Sequence, residues 1–94
     1  IIVKMNIEDL NSIIEDRIKK KSKKSYTNKL LKLGPKKIAQ KFGEESTELI
    51  VDYLKGSKER TIEEAADVIY HFLILLKSKR ISLKELNNEL EKRK

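Results

Sequence analysis

The stretch IEEAADVIYHFLILL, residues 62–76, decides the fold of this chain. It is mostly apolar, as expected of a helix that is buried on several sides. At about 100° per residue, Glu64, Asp67 and His71 fall on one stripe of this helix, because they follow each other at spacings of three and four. Burying an unpaired carboxylate is costly. The pattern therefore predicts that a positive group faces these acids inside the fold.

Two further helices are predicted upstream. Asn6 caps the first, and the second starts near Thr27 and ends at Gly34-Pro35. Between them lies the lysine run KKKSKKS, residues 19–25, which we interpret as a loop or a fraying helix end. The apolar residues of the first helix recur with helical spacing at Ile7, Leu10, Ile14 and Ile18.

Two more helices complete the prediction around the central stretch. A long helix spans residues 36–55 and ends at Gly56. The helix that contains the central stretch begins at Ser57 or Thr61, and a capping box at Ser82 opens a last helix. No segment has the alternation of a useful strand. The predicted fold class is all-α, an antiparallel bundle of four to five helices.

The composition predicts one small domain, residues 1–94. Hydrophobic residues make up 38% of the chain, with two Phe and no Trp, so the core is modest and dimerisation would complete it. The chain has no cysteine, which excludes disulfides and thiolate metal sites and favours a reducing cytoplasm. No apolar run reaches the length of a membrane span. We therefore expect a soluble cytoplasmic protein with no membrane contact.

The net charge of +7 is unevenly distributed along the chain. Residues 17–41 hold eleven Lys or Arg and no acid, whereas residues 42–67 hold eight acids. The basic block suits a polyphosphate or a nucleic acid, and the acidic block suits a metal cation. Tyr26 is the only aromatic residue within the basic block, which argues against binding to exposed bases. A solvated lysine face remains the simplest alternative.

The acids form two pairs, Glu45 with Glu48 and Glu64 with Asp67, each one helical turn apart on consecutive helices. A helical hairpin can bring the pairs face to face. Four carboxylates without cysteine favour Mg²⁺ or Mn²⁺ over zinc. A di-iron bundle needs Glu-x-x-His on two helices, and His71 follows Asp67 at a spacing of four without a counterpart, which argues against iron.

Each acidic motif also has a simpler explanation. The pattern Glu-x-x-Glu is common on charged helices, and Glu64 follows Thr61 at the spacing of a capping box. A cap does not explain Asp67 and His71 further along the same stripe. His71 is either a satisfied core histidine, a residue that orients a ligand, or a phosphate contact.

Three ordered segments resemble the phosphoribosyl-ATP pyrophosphohydrolase family, which belongs to the all-α, MazG-like nucleotide pyrophosphohydrolases. They are SYTNKL at residues 25–30, KIAQKFGEESTE at residues 37–48 and EEAADVIYHFLILL at residues 63–76. The resemblance implies Mg²⁺-dependent hydrolysis of phosphoribosyl-ATP to phosphoribosyl-AMP and pyrophosphate, the second step of histidine biosynthesis, by a helical homodimer. Two departures are the lysine-rich run and Ser46, which stands where a small apolar residue is usual.

The resemblance also implies roles for single residues. The metal ligands would be Glu45, Glu48, Glu64 and Asp67, with Glu44 a nearby acid. The resemblance does not identify the catalytic base, and Glu44 and Glu48 are the candidates because a metal-bound water would lie within their reach. The substrate contacts would be Arg17, Ser25, Tyr26, Thr27, Lys37 and Lys41. His71 is added to them as a candidate on its position in the stripe and not on the resemblance. Such a reaction needs charge neutralisation and an in-line water more than covalent help from the protein.

Two other functions compete with this prediction. A MazG-like enzyme that acts on other nucleoside triphosphates would share both acidic pairs. A basic helical protein without activity would bind nucleic acid with strong salt dependence and would ignore Mg²⁺. The SYT segment and the Tyr70-His71 pair favour phosphoribosyl-ATP.

Overall fold

The computed structural model describes residues 5–22 and 24–94, and these residues form helices without strands. The five helices are α1 (Ile7–Lys20), α2 (Tyr26–Leu33), α3 (Pro35–Lys55), α4 (Lys58–Ser78) and α5 (Leu83–Lys92). The predicted all-α fold class and the number of helices are confirmed. Lys23, within the lysine run, lies outside the described residues, as do residues 1–4.

Short polar side chains fix most helix starts. Asn6 and Asp9 form a reciprocal capping box at α1, as the sequence predicts for this cap. Ser25 caps α2, so this helix starts one residue before the predicted Thr27. Gly34 has a φ of 96°, a left-handed conformation that favours glycine, and Pro35 opens α3 directly after it.

The start of α4 decides between the two predicted caps. Ser57 accepts a hydrogen bond from the Arg60 N–H at 3.1 Å and is the cap. Thr61 lies inside the first turn, where its hydroxyl donates to the carbonyl oxygens of Ser57 and Asp52. The capping explanation for Glu64 is therefore wrong, because a capping box requires Thr61 to be the N-cap and Thr61 lies inside α4.

Helices α3 and α4 form an antiparallel hairpin joined by Gly56 and Ser57. The Thr61 hydroxyl reaches the Asp52 carbonyl near the turn, and the rings of Phe42 and Phe72 lie 6.3 Å apart at the other end. In an antiparallel pair of helices, residue numbers rise along one helix as they fall along the other, so facing residues have nearly the same sum. Both contacts meet this condition and define the same register. The hairpin therefore places Glu48 opposite Glu64.

The core lies where α1 and α2 pack against one end of this hairpin. Its buried residues are Ile14, Leu30, Ile38, Leu73 and Ile74. The other end of the hairpin and α5 contribute little, since α5 has no buried residue and α3 buries only Ile38. Tyr53 continues the apolar spacing of Ile38 and Phe42 along α3, yet it is 75% exposed.

The chain is more extended than a compact domain of its length. The radius of gyration is 14.5 Å, against about 12 Å expected for 94 residues. Several large apolar side chains of α3 are exposed, namely Ile50, Val51 and Leu54. Within the described residues, no helix combines the length and the hydropathy needed to cross a bilayer.

Candidate active site

Three carboxylates meet between α3 and α4. Glu45 and Glu48 come from α3 and Glu64 comes from α4, and one oxygen of each lies within 4.8 Å of the others. The helical spacing of three and the register of the hairpin bring them together. These residues are called the carboxylate group below. The predicted convergence of the two acidic pairs thus takes place for three of the four residues.

Asp67, the fourth predicted ligand, does not belong to the carboxylate group as the described residues are arranged. It lies on α4, one turn after Glu64, and is exposed. The same stripe therefore carries one buried and one exposed acid.

Glu64 is the most unusual of these acids because it is 5% exposed. One of its oxygens, Oε1, accepts a hydrogen bond from Arg60 at 2.5 Å. The other, Oε2, is buried and has no hydrogen-bond partner among the described residues. Burial and the neighbouring Glu48 carboxylate raise the pKa of Glu64, and Arg60 opposes them. A buried carboxylate oxygen is costly without a partner, and a cation held between it and the two other carboxylates would be such a partner. The arrangement is therefore typical of a cation site.

Arg60 is a site residue that the sequence analysis missed. Its guanidinium contacts Asp52 on α3 at 3.6 Å, and Glu63 and Glu64 on α4 at 3.0 Å and 2.5 Å. These acids, Asp52 first, raise the pKa of Arg60. The i, i+4 spacing of Arg60 and Glu64 was available as a signal. The arrangement makes Arg60 the counter-cation of Glu64.

A second charged cluster borders the carboxylate group on α3. Lys41 approaches Glu44 at 3.4 Å and Glu45 at 3.9 Å, and Gln40 donates to Glu44 at 2.8 Å. The hydrogen bonds from Gln40 and Lys41 lower the pKa of Glu44, so this acid stays ionised. The Glu44 hydrogen bond raises the pKa of Lys41 in turn. Lys41 therefore links the basic block to the carboxylate group.

Two open depressions flank Glu48. One, of about 350 Å³, is lined by Thr47, Glu48, Val51, Asp52, Arg60 and Glu64. The other, of about 560 Å³, is lined by Ala39, Gln40, Gly43, Glu44, Thr47 and Glu48. Both are open to solvent, so a charged ligand can reach the carboxylates from either side.

The SYT segment packs against α4. The Tyr26 hydroxyl lies 3.0 Å from His71 Nε2, and the Thr27 hydroxyl lies 2.6 Å from the Tyr70 hydroxyl. Thr27 is fully buried and His71 is 7% exposed, whereas Tyr26 is 44% exposed. Tyr26 is therefore the member of this set that is open to a ligand. Tyr70 packs against the Tyr26 ring and makes a polar contact with Thr27 as well.

The other predicted substrate residues lie near the start of α2 or on α3. Ser25 caps α2, and its hydroxyl accepts from the Asn28 N–H at 3.4 Å. The Arg17 carbonyl oxygen accepts a hydrogen bond from the Asn28 side chain, and the Arg17 side chain is exposed. Lys37 is half-buried one turn before Lys41, and its charge contributes to the lowered pKa of Glu44. The structure does not bring Arg17 into contact with the carboxylate group, and its substrate role stays a prediction.

Residues 7–94 match the family described as Phosphoribosyl-ATP pyrophosphohydrolase. The chain is similar to a phosphoribosyl-ATP pyrophosphatase of Sulfolobus acidocaldarius, at 45% identity over 93% of the chain and 92% of that protein. It is 46% identical to one of Paracoccus denitrificans over 73% of the chain and 64% of that protein. It is also 42% identical, over 89% of the chain and 41% of that protein, to a histidine biosynthesis bifunctional protein of Aquifex aeolicus. The chain therefore belongs to the phosphoribosyl-ATP pyrophosphohydrolase family.

Proposed function

We propose that this chain hydrolyses phosphoribosyl-ATP to phosphoribosyl-AMP and pyrophosphate with the help of Mg²⁺, as a step of histidine biosynthesis. Family membership and the names of the relatives support the reaction. One structural observation carries the metal proposal, namely the buried Glu64 oxygen without a partner beside Glu45 and Glu48.

The donor set fits a hard divalent cation. Glu45, Glu48 and Glu64 supply carboxylate oxygens, and the proposed fourth ligand is Asp67, one turn along α4. Mg²⁺ binds a few carboxylates and keeps positions for water and phosphate oxygens, and Mn²⁺ accepts the same ligands. When bound, the cation would neutralise the phosphate oxygens and favour departure of pyrophosphate.

In this proposal, basic residues would bind the phosphates, and polar residues at the start of α2 would bind the rest of the substrate. Lys41 and Lys37 both affect the charge state of Glu44 beside the carboxylate group and can attract the triphosphate. Ser25 and Tyr26 at the start of α2 are proposed to contact the substrate beyond the phosphates. Thr27 is buried and bonded to Tyr70, so it would support these two residues from inside the fold. Arg17, which is exposed, would add positive charge at longer range.

The two candidate bases differ in their surroundings. Both oxygens of Glu44 accept hydrogen bonds, from Gln40 and Lys41, and its pKa is lowered. A carboxylate with a lowered pKa is a poorer proton acceptor. We therefore propose that Glu44 keeps Lys41 in place. Glu48, which lines both depressions, is then the candidate base, through the carboxylate oxygen that does not bind the cation.

We also propose a homodimer in the cytoplasm. The exposed apolar residues of α3 and the large radius of gyration support association with a second copy. The lack of cysteine and the biosynthetic relatives support a reducing compartment.

A side-by-side assay tests the substrate. Pyrophosphate release from phosphoribosyl-ATP and from dATP is measured at equal concentrations with Mg²⁺, using the wild type and an Asp67→Asn variant. We expect a much higher kcat/KM for phosphoribosyl-ATP and its loss in Asp67→Asn. Glu59→Gln, which removes an exposed acid from the first turn of α4, is the matched control and should retain activity. Equal turnover of dATP would favour a general nucleotide pyrophosphohydrolase instead.

A further inference from the structure

His71 is a buried group that the proposed reaction leaves without a role. Its Nδ1 lies 2.8 Å from the carbonyl oxygen of Asp67, and its Nε2 lies 3.0 Å from the Tyr26 hydroxyl. A carbonyl oxygen can only accept, so Nδ1 carries the proton. In the neutral ring Nε2 then accepts, and the Tyr26 O–H donates to it. The two contacts together select one tautomer and one direction for the hydrogen bond.

A second contact parallels this one. The hydroxyls of Thr27 and Tyr70 are 2.6 Å apart, so two consecutive residues of α2 bond two consecutive residues of α4. The rings reinforce the arrangement, because Tyr26 stacks on Tyr70 at 6.0 Å and both meet His71 edge-on at 5.7 Å and 5.4 Å. The first turn of α2 is thereby held against α4.

The point of attachment lies beside the carboxylate group. Asp67, whose carbonyl binds His71, is one turn from Glu64 on α4. Burial raises the pKa of the Tyr26 hydroxyl, and the charges of Lys41, Glu45 and Glu44 also act on it, so the hydroxyl lies within Coulombic reach of this part of α3. Tyr26 itself is 44% exposed and can meet a ligand, whereas His71 at 7% cannot do so without moving.

We infer that His71 is a positioning residue, which fixes Tyr26 and the start of α2 at a set distance from the metal-bearing turn of α4. His71 then acts on substrate binding through Tyr26 and does not touch the substrate. This inference rests on the proposed function, in which α2 contributes to substrate binding. Of the three roles that the sequence leaves open for His71, it is closest to that of a residue that orients a ligand, and it excludes a direct phosphate contact.

The tautomer of His71 is the first test, and it does not depend on activity. The chain has one histidine, so the ring signals in a nitrogen-15 correlation spectrum belong to His71 alone. We expect the proton on Nδ1 at neutral pH and a changed Nε2 signal in Tyr26→Phe. A proton on Nε2 of a neutral His71 would overturn the inference, because Tyr26 could not then donate to that atom.

Kinetics provide the second test. Tyr26→Phe keeps the ring and removes the hydroxyl, and His71→Asn keeps a donor near Nδ1 and removes the group that reaches Tyr26. We expect each to raise KM about 5- to 10-fold, as for one lost hydrogen bond, with little change in kcat or in Mn²⁺ affinity. The double variant should be no worse than either single one. His71→Gln, whose longer amide can accept from Tyr26, should restore most of the loss.

The outcomes separate the inference from the proposed function. Additive effects, a fall in kcat with unchanged KM, or no rescue by Gln would overturn the positioning role. Tyr53→Phe removes an exposed hydroxyl elsewhere on α3 and is the control that should behave as the wild type. Absence of phosphoribosyl-ATP hydrolysis by the wild type would reject the proposed function, and with it the role of His71 as a positioning residue for substrate binding. The tautomer spectrum would still report whether the contact between His71 and Tyr26 exists.

Discussion

Glu64 is the residue on which the site depends. It is nearly buried, its Oε2 has no partner in the described part of the chain, and its neighbour Glu48 carries the same charge. A helix that needed only packing would place an apolar residue there. The sequence revealed this position because Glu64 interrupts an apolar stretch, but it could not show that Glu64 is buried while Asp67 is exposed.

The pKa of Glu64 predicts a pH effect on the metal-free protein. Burial raises this pKa above its ordinary value of 4.5, so above that pH the folded state binds more protons than the unfolded chain. The free energy of unfolding should therefore fall as the pH rises through 4.5 toward the folded-state pKa. Glu64→Gln should remove this part of the pH dependence.

Urea denaturation of both proteins between pH 4 and pH 8, with a chelator present, measures the effect. The quantity of interest is the difference between Glu64→Gln and the wild type, since other groups titrate equally in both. A difference that stays constant with pH would contradict the raised pKa.

Arg60 predicts a change in metal affinity. Its guanidinium occupies Glu64 Oε1, so a cation that uses this oxygen must compete with the ion pair. Arg60 is half-exposed, and such pairs contribute little, so Arg60→Gln should lower the Kd for Mn²⁺ about 3- to 10-fold. Calorimetric titration at pH 8 measures this, with Lys58→Gln as a control that removes a charge from the same turn of α4. Weaker binding in Arg60→Gln would show that Arg60 instead holds Glu64 in a binding conformation.

At the scale of elements, the two-residue turn between α3 and α4 sets the register that brings the acids together. Gly56 is the tight position in this turn. A Cβ there would lie 2.6 Å from Asp52 Oδ1 and 3.0 Å from the Asp52 carbonyl oxygen, which accepts the Gly56 N–H and the Thr61 hydroxyl. Glycine is therefore required for packing here, although its φ of −94° is open to any residue.

Gly56→Ala should accordingly destabilise the fold by about 1–2 kcal/mol, because Asp52 must move and its contact with Arg60 weakens. Gly43→Ala is the matched control within α3. A Cβ at Gly43 meets no atom of the described residues within 4 Å, so that variant should gain about 0.5–1 kcal/mol from helix propensity. Chemical denaturation of both variants checks the prediction, and equal effects would contradict it.

Local patterns were sufficient to predict the elements, and the errors arise from contacts between different helices. Asn6, Gly34 and Ser82 end or begin helices as predicted, because caps depend on neighbours in sequence. Threonine is a common N-cap residue, but the Thr61 hydroxyl donates to the Asp52 carbonyl oxygen across the hairpin. Sequence spacing does not reveal that contact. The Tyr26–His71 contact spans 45 positions and was equally hidden.

At the scale of the whole molecule, the carboxylate group lies on a hairpin that one copy of the chain covers only in part. Ile50, Val51 and Leu54 lie within about 100° of the circumference of α3 and are all more than half exposed. An apolar strip of this kind on a 94-residue chain is typical of an interface. We propose a second copy as its partner.

Charges on this strip should weaken association. We expect Ile50→Lys combined with Leu54→Lys to shift the protein from dimer to monomer, because an interface cannot bury unpaired ammonium groups without a large penalty. Sedimentation velocity over a concentration series measures the shift. Leu33→Lys, which alters an apolar residue that is 65% exposed at the end of α2, is the control and should stay dimeric. An unchanged dimer in the double variant would place the interface elsewhere.

The central claim is that the carboxylate group binds the metal ion on which phosphoribosyl-ATP hydrolysis depends. Pyrophosphate release from phosphoribosyl-ATP, measured over a Mg²⁺ titration for the wild type, Glu45→Gln and Glu59→Gln, tests it most directly. We predict activity that requires Mg²⁺ in the wild type and in Glu59→Gln, and a loss of at least about 100-fold in a folded Glu45→Gln. Activity without a divalent cation, or an unchanged rate in Glu45→Gln, would contradict the claim.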